Sequence, residues 1–186
     1  MAELFLHLGP GKTGTTSLQN ALYANRSSLI HAGILYPVFP VSETAESHHV
    51  MQALCKAHGN IAPYWRQGRE RLDLANYGNA LYSKLLEGVK ESRATRVILS
   101  SEMLLRGEFF GIFASMLKRD FPKITPILYI RDPIPLYQSQ FQQMAKRGGF
   151  KQTVGKIGST VQKVEEIFGK NIKYLKYFER CIEPRV

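Results

Sequence analysis

The chain has 186 residues, enough for one domain with a proper hydrophobic core. An apolar fraction of 44% separates it from disordered chains, and no apolar run approaches the roughly 20 residues of a membrane-crossing helix. A net charge of +10 favours polyanionic partners, but the lysines and arginines are scattered without a long basic run or a nucleic-acid motif, so nucleic acid is not the expected partner.

The first stretch with chemistry is at the N-terminus. An apolar run of strand character, Leu4 to Leu8, enters a turn with glycines at 9, 11 and 14, and a helical pattern (Leu18, Ala21, Leu22, about Thr16 to Asn25) leaves it. A loop that wraps an anion turns its N–H groups inward, which predicts positive φ angles and close main-chain approach at the glycines. The helix start at Gly14 to Ser17 adds unpaired N–H groups and the helix dipole. Gly9 and Gly14 have the GxxxxG spacing of nucleotide triphosphatases, yet Thr15 stands where their lysine belongs and the loop's lysine is Lys12. On its own the loop predicts an anion site without saying which anion, and a Gly/Thr-rich turn that binds nothing is the plain alternative.

The run Lys12-Thr13-Gly14-Thr15-Thr16-Ser17-Leu18 resembles the 5′-phosphosulfate loop of the sulfotransferases that use 3′-phosphoadenosine 5′-phosphosulfate (PAPS). The resemblance implies that Lys12 reaches the phosphosulfate bridge, and that Gly14, Thr15, Thr16 and Ser17, beside Gly11 and Thr13, hold the 5′-phosphate.

After a short strand at Gly33 to Pro37 and a polar stretch from Val41, Ser47 is a good N-cap for a helix His48 to His58, with Val50, Met51, Leu54 and Ala57 inward. His48 and His49 fall in its first turn, where the dipole disfavours the charged imidazole and leaves a base able to take an acceptor's proton. Packing or capping by these histidines is the competing reading. Since some carbohydrate sulfotransferases use a glutamate, Glu43 and Glu46 are carboxylate alternatives. Residues 59 to 76 gather Tyr64, Trp65, Arg66, Arg69 and Arg71, a composition that suits a lid or acceptor surface and equally a solvated loop.

A helix Asn79 to Ser92 follows, with Leu81, Leu85, Leu86 and Val89 as a core stripe. The apolar strand Arg96 to Ser101 ends in Ser-Ser-Glu, where a Walker-type triphosphatase would carry the aspartate that holds magnesium. Glu102 at this strand tip is a candidate base or substrate-positioning group, with a purely structural partnership as the alternative. A helix Phe109 to Asp120 leads to the strand Thr125 to Ile130 and to Arg131-Asp132-Pro133, in which Asp132 and Pro133 specify a helix start. Ile134, Tyr137, Phe141 and Met144 are expected as the buried stripe of that helix, with Ser139 off it. The Arg-Asp-Pro segment with Ser139 eight residues after Arg131 resembles the 3′-phosphate motif of the same sulfotransferases, which implies that Arg131 and Ser139 hold that phosphate. The basic exit Lys146 to Gly149, a helix Thr160 to Phe168 stopped by Gly169, and a strand Ile172 to Phe178 complete the chain.

Alternating strands and helices predict one three-layer α/β/α domain over residues 1 to 186, with a mostly parallel central sheet of the P-loop nucleotide-binding kind. The family generally continues further, so the domain is expected to be C-terminally short. The resemblance implies a PAPS-dependent transferase acting on a hydroxyl or amine of a small molecule or carbohydrate, with 3′-phosphoadenosine 5′-phosphate as product and no metal. A magnesium-dependent kinase and a non-catalytic nucleotide-binding module are the rival readings. Without a recognisable export leader the protein is expected to be soluble and cytoplasmic, and Cys55 and Cys181 to be reduced thiols.

Overall fold

β1 (Glu3–His7) is the middle strand of a five-stranded sheet of order β2-β3-β1-β4-β5. The computed structural model describes residues 2–9, 11–39, 48, 74–102, 104, 110–146, 157–170 and 172–176. β1 lies between β3 (Arg96–Ser100) and β4 (Lys123–Ile130), while β2 (Ile34–Leu35) and β5 (Lys173–Lys176) take the edges. Every strand pairing among these residues is parallel. A strand flanked on both sides and covered on both faces is expected to be largely apolar, and Leu4, Leu6 and the following Leu8 are completely buried.

β4 contains a proline in an inner strand, Pro126, opposite Leu6. In a parallel strand, successive residues direct their N–H and C=O groups to opposite neighbours. The carbonyl of Ile127 accepts from the Leu8 N–H on β1, so Pro126 is turned toward the β5 side, and β5 begins to pair only at Ile127. The missing N–H therefore costs no ladder hydrogen bond.

The helices are α1 (Thr15–Ala24), α2 (Arg26–His31), α3 (Leu74–Ser92), α4 (Phe110–Asp120), α5 (Pro133–Lys146) and α6 (Ile157–Phe168). The stripes expected on α3 and α4 are core: Leu81, Leu85, Phe110, Phe113 and Leu117 are buried, and Leu86, Val89 and Met116 pack at their margin. α3 starts five residues before the expected position, and α2 is a short helix that the periodicity does not announce. The α/β class, with its mostly parallel central sheet, is the one the sequence predicts.

Two helices turn faces inward that their apolar spacing does not mark. On α1 the buried residues are Thr15 and Gln19, while Ala21 is exposed and Leu18 and Leu22 are only half-buried. On α5, Ile134, Tyr137 and Phe141 are exposed, Ile134 by 69%, and Leu136 is the buried anchor. Apolar residues at helical spacing identified a face here without telling which way it turns. α1 covers the polar end of the sheet, so its small polar residues go inward. The side chain of Met144 lies outside the described residues, as do Glu43, Glu46, His49, Cys55, the segment 49–73, residues 147–149 and the last expected strand beyond Lys176. No helix among the described residues is long and apolar enough to cross a membrane.

Candidate functional site

The chain leaves β1, β3 and β4 at one end of the sheet, and each exit carries an expected site residue: the loop of residues 8–14, Glu102 and Arg131. This is the carboxyl end of the strands, where parallel sheets place ligands. In the loop, Gly14 has φ 79° and Lys12 has φ 72°. A lysine in the left-handed region is strained by about 1–3 kcal/mol and persists only where its surroundings hold it. The surroundings therefore hold Lys12 at the loop apex, and left-handed residues of this kind let a loop turn its backbone N–H groups toward an anion. Gly14 is the N-cap of α1 and supplies no side-chain cap, and the first turn holds no acidic residue. The N–H groups at this helix end are thus open to an anion.

Gly9 and Gly11 do not have the positive φ that the sequence predicts for them. The role of Gly9 is space, whereas a side chain on Gly11 would meet only an ordinary contact. A methyl on Gly9 would lie 3.0 Å from His7 Nε2 and 3.1 Å from Thr13 Oγ1, and one on Gly11 would lie 3.5 Å from Glu102 Oε1. Glu102 thus stands against the loop, and the Thr15 hydroxyl donates to its Oε2. A hydroxyl has one proton, so in this arrangement Thr15 serves Glu102 and offers an anion only its backbone N–H. Thr16 and Ser17 are exposed on the first turn, and Thr13 is buried.

Arg131 is half-buried, and its Nη1 donates to the Lys12 carbonyl at 2.8 Å. That bond joins two segments 119 residues apart and fixes the guanidinium beside the loop. Asp132 Oδ1 accepts from the Ile134 N–H at 3.0 Å, the cap expected for α5. Ser139 sits in the second turn of α5, half-buried.

His48 is corrected by the structure. It is fully buried, Nδ1 accepts from the Ser100 N–H at 2.8 Å, and Nε2 is 2.8 Å from the Pro37 carbonyl. A carbonyl can only accept and an amide N–H only donate, so the proton is on Nε2 and the Nδ1 lone pair is already used. Tyr36 and Phe39 pack around the ring. His48 clamps the end of β3 to the chain after β2 and has no lone pair for an acceptor's proton.

His7 and Gln19 were missed. His7 is opposite Ser100 in the β1–β3 register, and its Nδ1 is 2.7 Å from Ser100 Oγ, to which Gln19 Nε2 donates at 3.2 Å. Tyr129 meets the imidazole edge-on at 5.2 Å. Burial alone pulls the His7 pKa from 6.5 to about 4, so the ring is neutral under physiological conditions. The available signal was a titratable residue closing an otherwise apolar strand directly before the loop.

At the carboxyl end of this parallel α/β sheet lie a helix start without a side-chain cap, a left-handed lysine and an arginine tied to the same loop, residues whose chemistry fits a phosphorylated ligand. A sulfotransferase from Alicyclobacillus acidocaldarius has a similar fold, with a TM-score of 0.56, 17% identity and coverage of 95% of this chain and 74% of that one. No protein-family model matches the sequence, and no curated protein does.

Proposed function

We propose that the protein is a sulfotransferase moving a sulfuryl group from PAPS to a hydroxyl or amine of a small-molecule or carbohydrate acceptor. The observation that carries this reading is the bond from Arg131 to the Lys12 carbonyl, which brings together the two segments that resemble the 5′- and 3′-phosphate motifs. The resemblance in fold to a sulfotransferase supports it.

When bound, the donor supplies an activated sulfuryl group on a phosphate leaving group. The N–H groups of Gly14 and Thr15 and the hydroxyls of Thr16 and Ser17 would hold the 5′-phosphate, with Gly11 and Thr13 completing the loop. Arg131 and Ser139 would hold the 3′-phosphate. The Lys12 ammonium would stabilise negative charge growing on the bridging phosphate oxygen as its bond to sulfur breaks. With His48 committed to the core, Glu102 is the carboxylate beside the loop, and we assign it the acceptor's proton.

Calorimetric titration with adenosine 3′,5′-bisphosphate, 5′-AMP and ATP with magnesium tests the reading. The bisphosphate is expected to bind tightest, and Arg131→Ala to lose about 10- to 100-fold for it while leaving 5′-AMP nearly unchanged, as for a charged hydrogen bond. A preference for ATP with magnesium would sink the proposal in favour of a kinase.

A further inference from the structure

Beneath the loop one polar atom is unaccounted for. His7 is 1% exposed, and its Nε2 has no hydrogen-bond partner among the described residues. Leaving a buried polar group of this kind unpaired is costly, so its persistence asks for an occupant or partner in another state of the protein. The atom is aimed at the loop: Nε2 and Thr13 Oγ1 both flank the direction in which a side chain on Gly9 would project. The other edge of the ring is fixed. Ser100 Oγ accepts from Gln19 Nε2 and keeps its own proton to donate to His7 Nδ1; in that tautomer the imidazole proton is on the unpartnered Nε2. The uncapped helix N-terminus and this orphaned nitrogen are independent observations at the two ends of the same loop.

We infer that His7 is a positioning residue for the anion loop, whose Nε2–H acquires its hydrogen-bond acceptor, on the loop or on the phosphate itself, only when a phosphate fills the loop. The inference rests on the loop being the donor's 5′-phosphate site. It assigns a distinct task to a neutral donor. Lys12 and Arg131 supply charge from above, whereas His7 couples loop occupancy to Ser100 and hence to β3, from whose end Glu102 projects.

Two variants separate this role from a structural one. Glutamine reproduces the reach of Nε2 and gives up the bond to Ser100; asparagine keeps the bond to Ser100 and gives up the reach. His7→Gln is expected to bind adenosine 3′,5′-bisphosphate within about twofold of wild type, and His7→Asn about tenfold more weakly, the loss of one hydrogen bond. A role confined to holding Ser100 would reverse that order. A second readout needs no variant: the ¹⁵N resonance of His7 Nε2 in wild-type protein should be that of a protonated nitrogen, and its proton should move downfield when the bisphosphate is added. An Nε2 resonance unmoved by a bisphosphate that calorimetry shows to be bound overturns the inference and leaves the proposed function standing. If the wild type binds no bisphosphate at all, the proposed function falls and the inference falls with it.

Discussion

The two segments that resemble phosphate motifs are held in opposite ways. The loop after β1 stands on a buried polar floor of His7, Ser100, Gln19 and Thr15, with Glu102 as a lateral prop, all on the central strands or on α1. Arg131 lies on the outer side of the site and reaches the loop through its bond to Lys12, while the helix behind it exposes Ile134, Tyr137 and Phe141. The first segment is shaped by the core, and the second takes its position from the first. Damage to the floor should therefore disturb both phosphate sites, whereas damage to α5 should leave the loop intact.

The largest effect is expected at the loop apex. Lys12→Met keeps the stem and removes the ammonium, so transfer to any acceptor used by the wild type should fall about 10²- to 10³-fold, while calorimetric affinity for the bisphosphate changes little. Equal losses in rate and affinity would mean that Lys12 merely binds.

The clamp at the other end of the floor comes next. His48→Ala leaves the Ser100 N–H and the Pro37 carbonyl unpaired and opens a cavity, and it should cost about 3 kcal/mol in urea denaturation. The folded fraction should retain its transfer rate, since His48 has no lone pair to give. A large loss of rate per folded molecule would return His48 to the list of bases.

A comparable effect follows from pH. The folded pKa of His7 lies below its unfolded value, so between pH 6.5 and about 4 the unfolded chain binds the extra proton. This contribution to stability is complete above pH 6.5 and is lost as pH falls through that window, by about 3 kcal/mol. Glu3 and Asp120, held below the ordinary carboxylate range chiefly by hydrogen bonds from Lys123 and Arg119, act at still lower pH. Stability measured from pH 7.5 to 4 should decline in wild type and decline less in His7→Gln; equal slopes would mean that His7 titrates normally in the fold.

The smallest effect belongs to the outer helix. Ile134→Gln, at a site 69% exposed, should shift stability by less than about 0.5 kcal/mol and leave bisphosphate binding unchanged. A larger change would show that α5 is held from its exposed side and is more than an appendage of the loop.

Legibility followed the range of the interaction involved. The strand-loop-helix of β1 and α1, the parallel sheet, the α3 and α4 core stripes and the Asp132 cap were readable, because periodicity and capping act within a few residues. The placement of Lys12, Gly14 and Arg131 at the carboxyl end of the strands was readable, because spacing along one segment carries it. The inward faces of α1 and α5 were not, because apolar periodicity is silent on what the neighbouring element presents. His48 shows the same limit: a position that local signals assign to the first turn of a helix is set by hydrogen bonds to Ser100 and Pro37, 52 and 11 residues away.

By itself, then, the sequence determined the α/β class, the order of its central elements and a loop whose glycines, lysine and helix start suit an anion, since each depends on short-range geometry. Only the tertiary structure decided that Gly9 provides space, that Thr15 answers to Glu102, that Arg131 grips the loop and that His7 is buried beneath it. Those assignments depend on which side chains meet across strands, and register and burial specify that where spacing along the chain does not.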